Sequence, residues 1–348
     1  MKNNNIKASL YALLAAVFYA INIPCSKLLL QRINPTVLAG LLYIGAGLGV
    51  GILLITSKNS SEESLNKKDL PYVIAMVVLD IAAPILLMYG ISLGNAGTAS
   101  LLSNFEIVAT TLIALFLFNE KVTWRLWIAV ALITLSSIVL SIQPGQKFEF
   151  SVGSLLVIAA TIFWGLENNC TRRLSQKNAK QIVTVKGLCS GTGSLIIAII
   201  LGQRFTAYEK TTLLLIPVVL LLGFVSYGLS IFTYIKAQKT LGAAKTSVYY
   251  AVAPFVGCLL SFILLREQLT LYFFLALPLM LLGTVFVAYD TIIRQHTHIH
   301  THTYTHTHDN STHTHTVVHS HDHSHIVSDK VHGHHHSLQE LEDTQHEQ

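Results

Sequence analysis

The sequence predicts an all-α membrane protein of ten transmembrane helices, arranged as two inverted five-helix repeats and followed by a disordered, histidine-rich C-terminal tail. Three observations support this prediction. Hydrophobic residues make up 52% of the 348 residues and charged residues only 12%, about half the charged share of a typical soluble domain. Long apolar runs follow one another as far as residue 290. All 17 histidines lie beyond that point, between His296 and His346.

The apolar runs give the positions of the helices. A membrane span needs about 20 apolar residues to cross roughly 30 Å of hydrocarbon. Runs of this kind, separated by charged or Pro- and Asn-rich breaks, predict spans 1 to 10 at residues 8–30, 36–56, 71–93, 97–118, 123–142, 152–171, 182–202, 213–236, 244–265 and 270–290. Several links are short, for example 94–96, so consecutive helices are expected to be antiparallel neighbours.

Lysine and arginine residues predict how the chain is oriented. If the N-terminus is cytoplasmic, 17 of them lie at cytoplasmic loops or helix ends and six at the opposite side. Basic residues favour the cytoplasmic side of a membrane. We therefore expect a multi-pass protein of the bacterial cytoplasmic membrane with both termini, and hence the tail, in the cytoplasm.

Self-comparison predicts an internal duplication. Three stretches of the first half recur in the same order in the second half, at offsets of 145, 148 and 147 residues: Phe18–Lys27 with Phe163–Arg172, Leu93–Thr98 with Leu241–Thr246, and Glu120–Thr123 with Glu267–Thr270. The predicted domains are a first repeat at 1–142, a linker at 143–150, a second repeat at 151–290 and the tail at 291–348. Because each repeat has five spans, the second must be inverted, an arrangement typical of secondary transporters with a midplane substrate site.

The duplicated unit resembles EamA-type domains of the drug/metabolite transporter superfamily. The resemblance rests on the duplication, on the pairs Tyr19-Ala20 and Trp164-Gly165, and on the segments Phe118–Thr123 and Arg266–Thr270 that end the repeats. It covers residues 8–290 and implies a ten-helix carrier that exports or exchanges small metabolites. The first repeat has Glu106 where the second has Pro254, although the family often carries a Glu-Pro pair here, and the histidine tail is not part of the family pattern.

Three acidic residues lie deep in predicted spans, namely Asp80, Glu106 and Glu167. Buried charges in a membrane protein are costly and tend to face a cavity or a partner. Lys27 and Lys186 are placed near helix ends, where their ammonium groups can reach the membrane interface. This reading predicts an interior with acids only, suited to cations and proton exchange. The alternative is structural: the acids are hydrogen-bonded across helices or paired with a lysine.

Polar and aromatic neighbours of these acids complete the predicted substrate site. Amphipathic rings beside deep acids suit an organic amine or a zwitterion, although tyrosines in helices also serve as packing or interface residues. The span 1 counterpart of Glu167 is the polar Asn22. The predicted substrate-binding residues are Asp80, Asn104, Glu106, Trp164, Glu167, Asn168, Tyr227, Tyr249 and Tyr250.

The tail predicts metal binding by composition. Imidazole binds Zn, Ni, Co and Cu ions, and histidine-rich tracts are typical of metal binding. The candidate ligands are His296, His298, His300, His302, His319, His321, His323, His325, His334, His335 and His336. The tail lacks apolar periodicity and is expected to be disordered. An alternative origin is a dinucleotide repeat in the gene, since alternating AC codes for alternating Thr and His.

These features favour a secondary transporter of small organic metabolites that works by alternating access, with proton coupling as a hypothesis. No P-loop for ATP is present, and neither an enzyme site, a cofactor nor a nucleic-acid partner is expected. The expected partners are the lipid bilayer, a small-molecule substrate, protons and divalent transition metals at the tail. Two alternatives stay open: a transporter of transition-metal ions or metal chelates that uses the tail, and a membrane metal sensor or scaffold that transports nothing.

Overall fold

The computed structural model describes residues 2–56, 63–118, 123–142, 151–174, 177–203, 210–241, 246, 249–308 and 311–326. Residues 1–288 and 289–348 form two separate compact units. The helices are α1 (Lys2–Ala20), α2 (Asn22–Leu29), α3 (Pro35–Thr56), α4 (Leu70–Leu93), α5 (Ala96–Leu102), α6 (Phe105–Phe118), α7 (Trp124–Ser141), α8 (Val152–Leu174), α9 (Ala179–Ile200), α10 (Lys210–Gly223), α11 (Ser230–Leu241), α12 (Ala253–Leu265) and α13 (Leu271–Ile292). A 3₁₀ turn covers Lys67–Asp69, and a π-helical segment covers Phe224–Leu229.

The structure confirms an all-α membrane protein. Within the described ranges, eight helical stretches are long and apolar enough to cross a membrane, and they correspond to predicted spans 1–5, 7, 8 and 10. Span 6 is occupied by α8, a continuous helix of 23 residues that carries Glu167. Span 9 contains α12, an apolar helix of 13 residues. Large apolar side chains such as Ile55, Phe116 and Leu271 are highly exposed, as expected of a surface in contact with lipid.

Spans 4 and 9 are broken helices. A turn at Ser103-Asn104 separates α5 from α6, and a turn at 251–252 precedes α12. The two breaks are 148 residues apart and so lie at matching positions of the two repeats. Pro254 stands in the first turn of α12, where its missing N–H breaks no helical hydrogen bond. Irregular backbone at membrane depth is tolerated where it is buried in protein or lines a cavity.

The contacts between helices follow the symmetry of the duplication: a contact between two helices recurs between their counterparts in the other half. Helix α3 packs on its counterpart α9, and α5 packs on α12, so these two contacts join the counterpart spans 2 and 7 and the counterpart spans 4 and 9. Helix α4 packs on α8 as α1 packs on α11, and α6 packs on α8 as α1 packs on α12. The α3–α9 pair approaches through glycines: a Cβ added at Gly47 would lie 2.6 Å from the Leu188 nitrogen, so no larger residue fits there.

The described part of the second unit, up to residue 326, differs from the disorder expected of the tail. Strands β1 (Ile293–His308) and β2 (Ser311–Ile326) form a two-stranded antiparallel ribbon. Its register places His296 opposite His323, His298 opposite His321, His300 opposite His319 and His306 opposite His313. The reason is that strict alternation of His with Thr or Ser is itself a period of two, and β-branched Thr favours strands. Candidate ligands His334, His335 and His336 lie outside the described residues.

Candidate functional site

Two of the predicted acids meet at a lysine inside the first unit. The Lys186 Nζ atom of α9 lies 2.9 Å from Oδ2 of Asp80 on α4 and 3.1 Å from Oε1 of Glu167 on α8. Asp80 is 0% exposed and Glu167 is 2% exposed. The Tyr43 hydroxyl donates to Asp80 Oδ1 at 3.1 Å, and Thr171 donates to Glu167. We call Asp80, Glu167 and Lys186 the ion cluster.

The expectation of an interior with acids only is therefore wrong. The sequence predicts Lys186 near a helix end with its ammonium group at the membrane interface, yet that group is held between two carboxylates of other helices. Burying both carboxylates without a countercharge would cost several kcal/mol, which explains the pairing. The same rule could have found Lys186 in the sequence, because deep acids require a cation within reach.

The third acid, Glu106, lies in the first turn of α6, directly after the break in span 4. The Asn168 Nδ2 atom donates to Glu106 Oε1 at 2.6 Å and to Thr110 Oγ1 at 3.4 Å. Because Asn168 directly follows Glu167 on α8, this contact places Glu106 close to the ion cluster. Glu106 and Asn168, which are both among the predicted site residues, are thus in contact between α6 and α8.

Asn104, in the break itself, is 2% exposed. Its Nδ2 atom is buried and has no hydrogen-bond partner among the described residues. Buried amide donors are nearly always paired, so an unpaired one calls for an explanation. A bound molecule that supplies an acceptor oxygen would satisfy it.

Tyrosine rings extend from the ion cluster across the first unit. Ring centroids are 5.1 Å apart for Tyr43 and Tyr227, 6.1 Å for Tyr227 and Tyr19, 5.8 Å for Tyr19 and Tyr250, and 5.2 Å for Tyr250 and Tyr234. We call these five residues the tyrosine string. The Tyr227 hydroxyl accepts a hydrogen bond from Asn22 Nδ2 at 2.8 Å. Because Tyr43 also binds Asp80, the string and the ion cluster are connected.

Trp164 and Tyr249 are the remaining predicted site residues. Trp164 is buried in the main apolar core, one turn before Asn168. Tyr249 is half-buried, and its carbonyl oxygen accepts a hydrogen bond from the Val252 amide at 3.5 Å. Sequence reasoning left out Tyr43 and Tyr19, because a ring inside an apolar run gives no sign of whether it faces lipid or a polar partner.

Comparisons with known proteins agree with this architecture. The model of the EamA-like transporter family matches residues 6–142 and again residues 151–289. An uncharacterized transporter of Methanothermobacter thermautotrophicus is 26% identical over 298 residues, which covers 79% of this chain and 84% of that protein. The uncharacterized transporter YyaM of Bacillus subtilis is 20% identical over 215 residues, or 61% of this chain and 70% of that protein.

A solved structure described only as a crystal structure of a protein superposes with a TM-score of 0.54 at 16% identity. The match covers 80% of this chain and 94% of that chain. At this level of identity the likeness concerns the fold.

Proposed function

Since the chain belongs to the EamA-like transporter family, we propose that it carries a small organic amine or zwitterion, such as an amino-acid derivative, by alternating access. The observation that carries the substrate class is the buried ion cluster, in which two carboxylates share one ammonium group. One formal negative charge is left over, and Glu106 adds a third carboxyl group to the region. A site with this excess favours a ligand that brings a positive charge.

The ion cluster suits an amine because Lys186 already demonstrates the geometry. The ammonium group of Lys186 forms ion pairs with both carboxylates, at 2.9 and 3.1 Å. A substrate ammonium group is chemically similar and would bind to the same carboxylates if Lys186 swings aside. The tyrosine string adds ring faces, which attract cations by roughly 0.5–2 kcal/mol.

The unpaired Asn104 amide favours a second polar group on the substrate. Its Nδ2 atom can donate to a carboxylate or carbonyl oxygen, which would relieve a buried donor that costs about 1–3 kcal/mol when unsatisfied. Glu106 lies two residues further along, at the start of α6. A zwitterion would place its carboxylate at Asn104 and its ammonium group among the acids.

Proton coupling is part of the proposal. The same carboxylate can be neutralised in turn by Lys186, by a substrate or by a proton. This exchange can couple the movement of substrate to that of protons. We place the carrier in the bacterial cytoplasmic membrane with both termini in the cytoplasm.

A set of three related ligands tests the substrate class. Thermal stability of the purified full-length chain is measured with an amino acid, with the amine formed by its decarboxylation, and with the acid formed by its deamination. We expect the amino acid and the amine to stabilise the protein and the acid to have no effect. Asp80→Asn should lose both responses, and the exposed control Gln268→Ala should keep them. Stabilisation by the acid alone would contradict the proposal. So would the failure of every amino acid and amine tested to stabilise the protein.

The ribbon in the second unit favours metal binding as an additional activity. Directly opposed residues of an antiparallel ribbon have Cβ atoms about 4.5–5.5 Å apart and share a face. Four such positions pair His with His, a spacing that suits two imidazole ligands for one Zn, Ni, Co or Cu ion. The tail would then collect or sense metal, or hold a metal chelate for transport.

Truncation after Gln295 separates these roles, because it removes every histidine and no predicted span. Transport that depends on Ni²⁺ or Zn²⁺ in the intact chain and not in the truncated one would support a metal role. Replacing His296, His298 and His300 by Asn should weaken Ni²⁺ binding more than replacing His334, His335 and His336. Binding should also weaken as the pH falls below about 6.5, because protons compete for imidazole. Equal losses from the two triple replacements would contradict pairing across the ribbon.

A further inference from the structure

The three stretches that recur in the two halves meet at one point of the structure. Lys27 ends the first stretch, Gly94 and Asn95 belong to the second, and Glu267 begins the third. They come from span 1, from the link between spans 3 and 4, and from the link between spans 9 and 10. The substrate site described above uses none of them.

Two charged side chains bind the two ends of the link between spans 3 and 4. The Lys27 Nζ atom donates to the carbonyl oxygens of Ile91 and Gly94, both at 2.6 Å, at the C-terminal end of α4. The Glu267 carboxylate accepts from the backbone amides of Ala96 at 2.8 Å and Gly97 at 2.9 Å, at the start of α5. A cation at a helix C-terminus and an anion at a helix N-terminus are both the favourable choice.

We propose that Lys27 and Glu267, closed on the Gly94–Asn95 turn, form a latch that keeps this face of the carrier shut and opens once in each transport cycle. The link to Glu267 is the important part, because it joins the second half of the chain to a turn of the first. Alternating access requires the halves to move relative to one another. Opening this face therefore has to break the two Glu267 bonds.

The bonds are strong enough to set an equilibrium and weak enough to be broken in each cycle. Both are charge-assisted, a class of hydrogen bond that contributes more than a neutral one. Their donors are main-chain amides, so the bonds depend on the position of the turn and not on the identity of a side chain there. The inference requires only that the chain is a carrier, and its test reads conformation without any substrate.

A native cysteine reports on the latch. Cys258 of α12 is 8% exposed, and a Cβ added at Gly97 would lie 3.8 Å from its Sγ atom and 3.6 Å from Glu267 Oε2. Cys258 therefore lies against the first turn of α5, whose amides the Glu267 carboxylate binds. In a full-length reference protein with Cys25, Cys170 and Cys189 changed to Ala, labelling by a membrane-impermeant maleimide in proteoliposomes measures how often this face opens.

Glu267→Gln should raise the labelling rate of Cys258 by about tenfold, since one carboxylate that accepts two amide bonds is lost. Gln268→Ala, at the exposed neighbouring position, should label at the reference rate. So should Glu120→Gln, the change at the matching position of the other repeat, which lies outside the described residues. Lys27→Gln should give a smaller increase, and it provides an answer if Glu267→Gln does not fold. Labelling of Glu267→Gln and Lys27→Gln at the reference rate would overturn the proposal, as would an equal increase in Glu120→Gln.

Discussion

Two helix crossings of this transporter are counterparts in the duplication and differ in charge. At the α4–α8 crossing, Asp80 and Glu167 are both bound to Lys186. At the counterpart crossing, the π-helical segment packs on α1. There Asn22, the first residue of α2, donates to Tyr227 of the π-helical segment at 2.8 Å. Tyr227 follows Asp80 by 147 residues, and Asn22 precedes Glu167 by 145, which are the offsets of the repeat.

The comparison shows how a duplicated scaffold becomes functionally asymmetric. Both crossings keep polar side chains at matching depths, so the geometry of the repeat is retained. Of the two counterpart pairs, Asp80 and Glu167 are acidic whereas Tyr227 and Asn22 are neutral, and the acidic pair recruits Lys186 from a third helix to compensate its charge. We call the crossings of these two pairs the charged crossing and the neutral crossing. Tyr43 touches both crossings, since its hydroxyl binds Asp80 and its ring lies 5.1 Å from that of Tyr227. We expect substrate binding to depend on the charged crossing and the neutral crossing to contribute mainly packing.

Removing the lysine should give the largest effect. Lys186→Met leaves two buried carboxylates without a countercharge, which typically costs about 3–5 kcal/mol. Thermal unfolding of the purified protein should show a large loss of stability. Lys177→Met, which removes the ion pair with the exposed Glu63, should change it little. Equal stability of Lys186→Met and the wild type would mean that the ion cluster is not what holds this crossing together.

Removing one acid should affect transport more than stability. Glu167→Gln, Asp80→Asn and Glu106→Gln each keep the side-chain shape and lose a charge, and transport of the amine substrate should fall by roughly tenfold or more for each. Uptake into proteoliposomes measures this, with protein amount and melting temperature as controls. Full activity of a Glu106→Gln, Glu167→Gln double variant would show that these acids are structural.

The neutral crossing should tolerate change. Tyr227→Phe removes one neutral hydrogen bond, worth about 1 kcal/mol, and keeps the ring in the tyrosine string. Stability should fall by about that amount and transport by much less than in Asp80→Asn. If Tyr227→Phe and Asp80→Asn impair transport equally, the two crossings share the function and the asymmetry is only one of charge.

The smallest effect on stability is expected at Asn104. Its Nδ2 atom makes no hydrogen bond that could be lost in the described part of the chain, so Asn104→Ala should change the unfolding free energy by less than about 1 kcal/mol. Binding should still respond: the preference for an amino acid over its decarboxylated amine should disappear. Retention of that preference would remove Asn104 from the substrate site.

Much of the fold could be predicted from the sequence, because long apolar runs and repeated motifs are local signals. Eight of the predicted spans recur as helices of suitable length and composition. The partner of the acids could not be predicted, since apolar periodicity tells which residues are buried and not which residues meet. The break at Ser103-Asn104 contains neither Gly nor Pro and so gave no signal, whereas Pro254 marked its counterpart.

The two helix breaks lie at different distances from the latch. Helix α5 has seven residues and α12 has 13, so at 1.5 Å per residue the breaks lie about 10 Å and about 20 Å from the latch, measured along their helices. They are thus staggered by about 10 Å along the helices. Because packed helices also lie about 8–10 Å apart, the breaks are separated by more than this offset, and only a compound longer than about 10 Å would reach both at once. The length of any candidate substrate can therefore be compared with the separation of the two breaks.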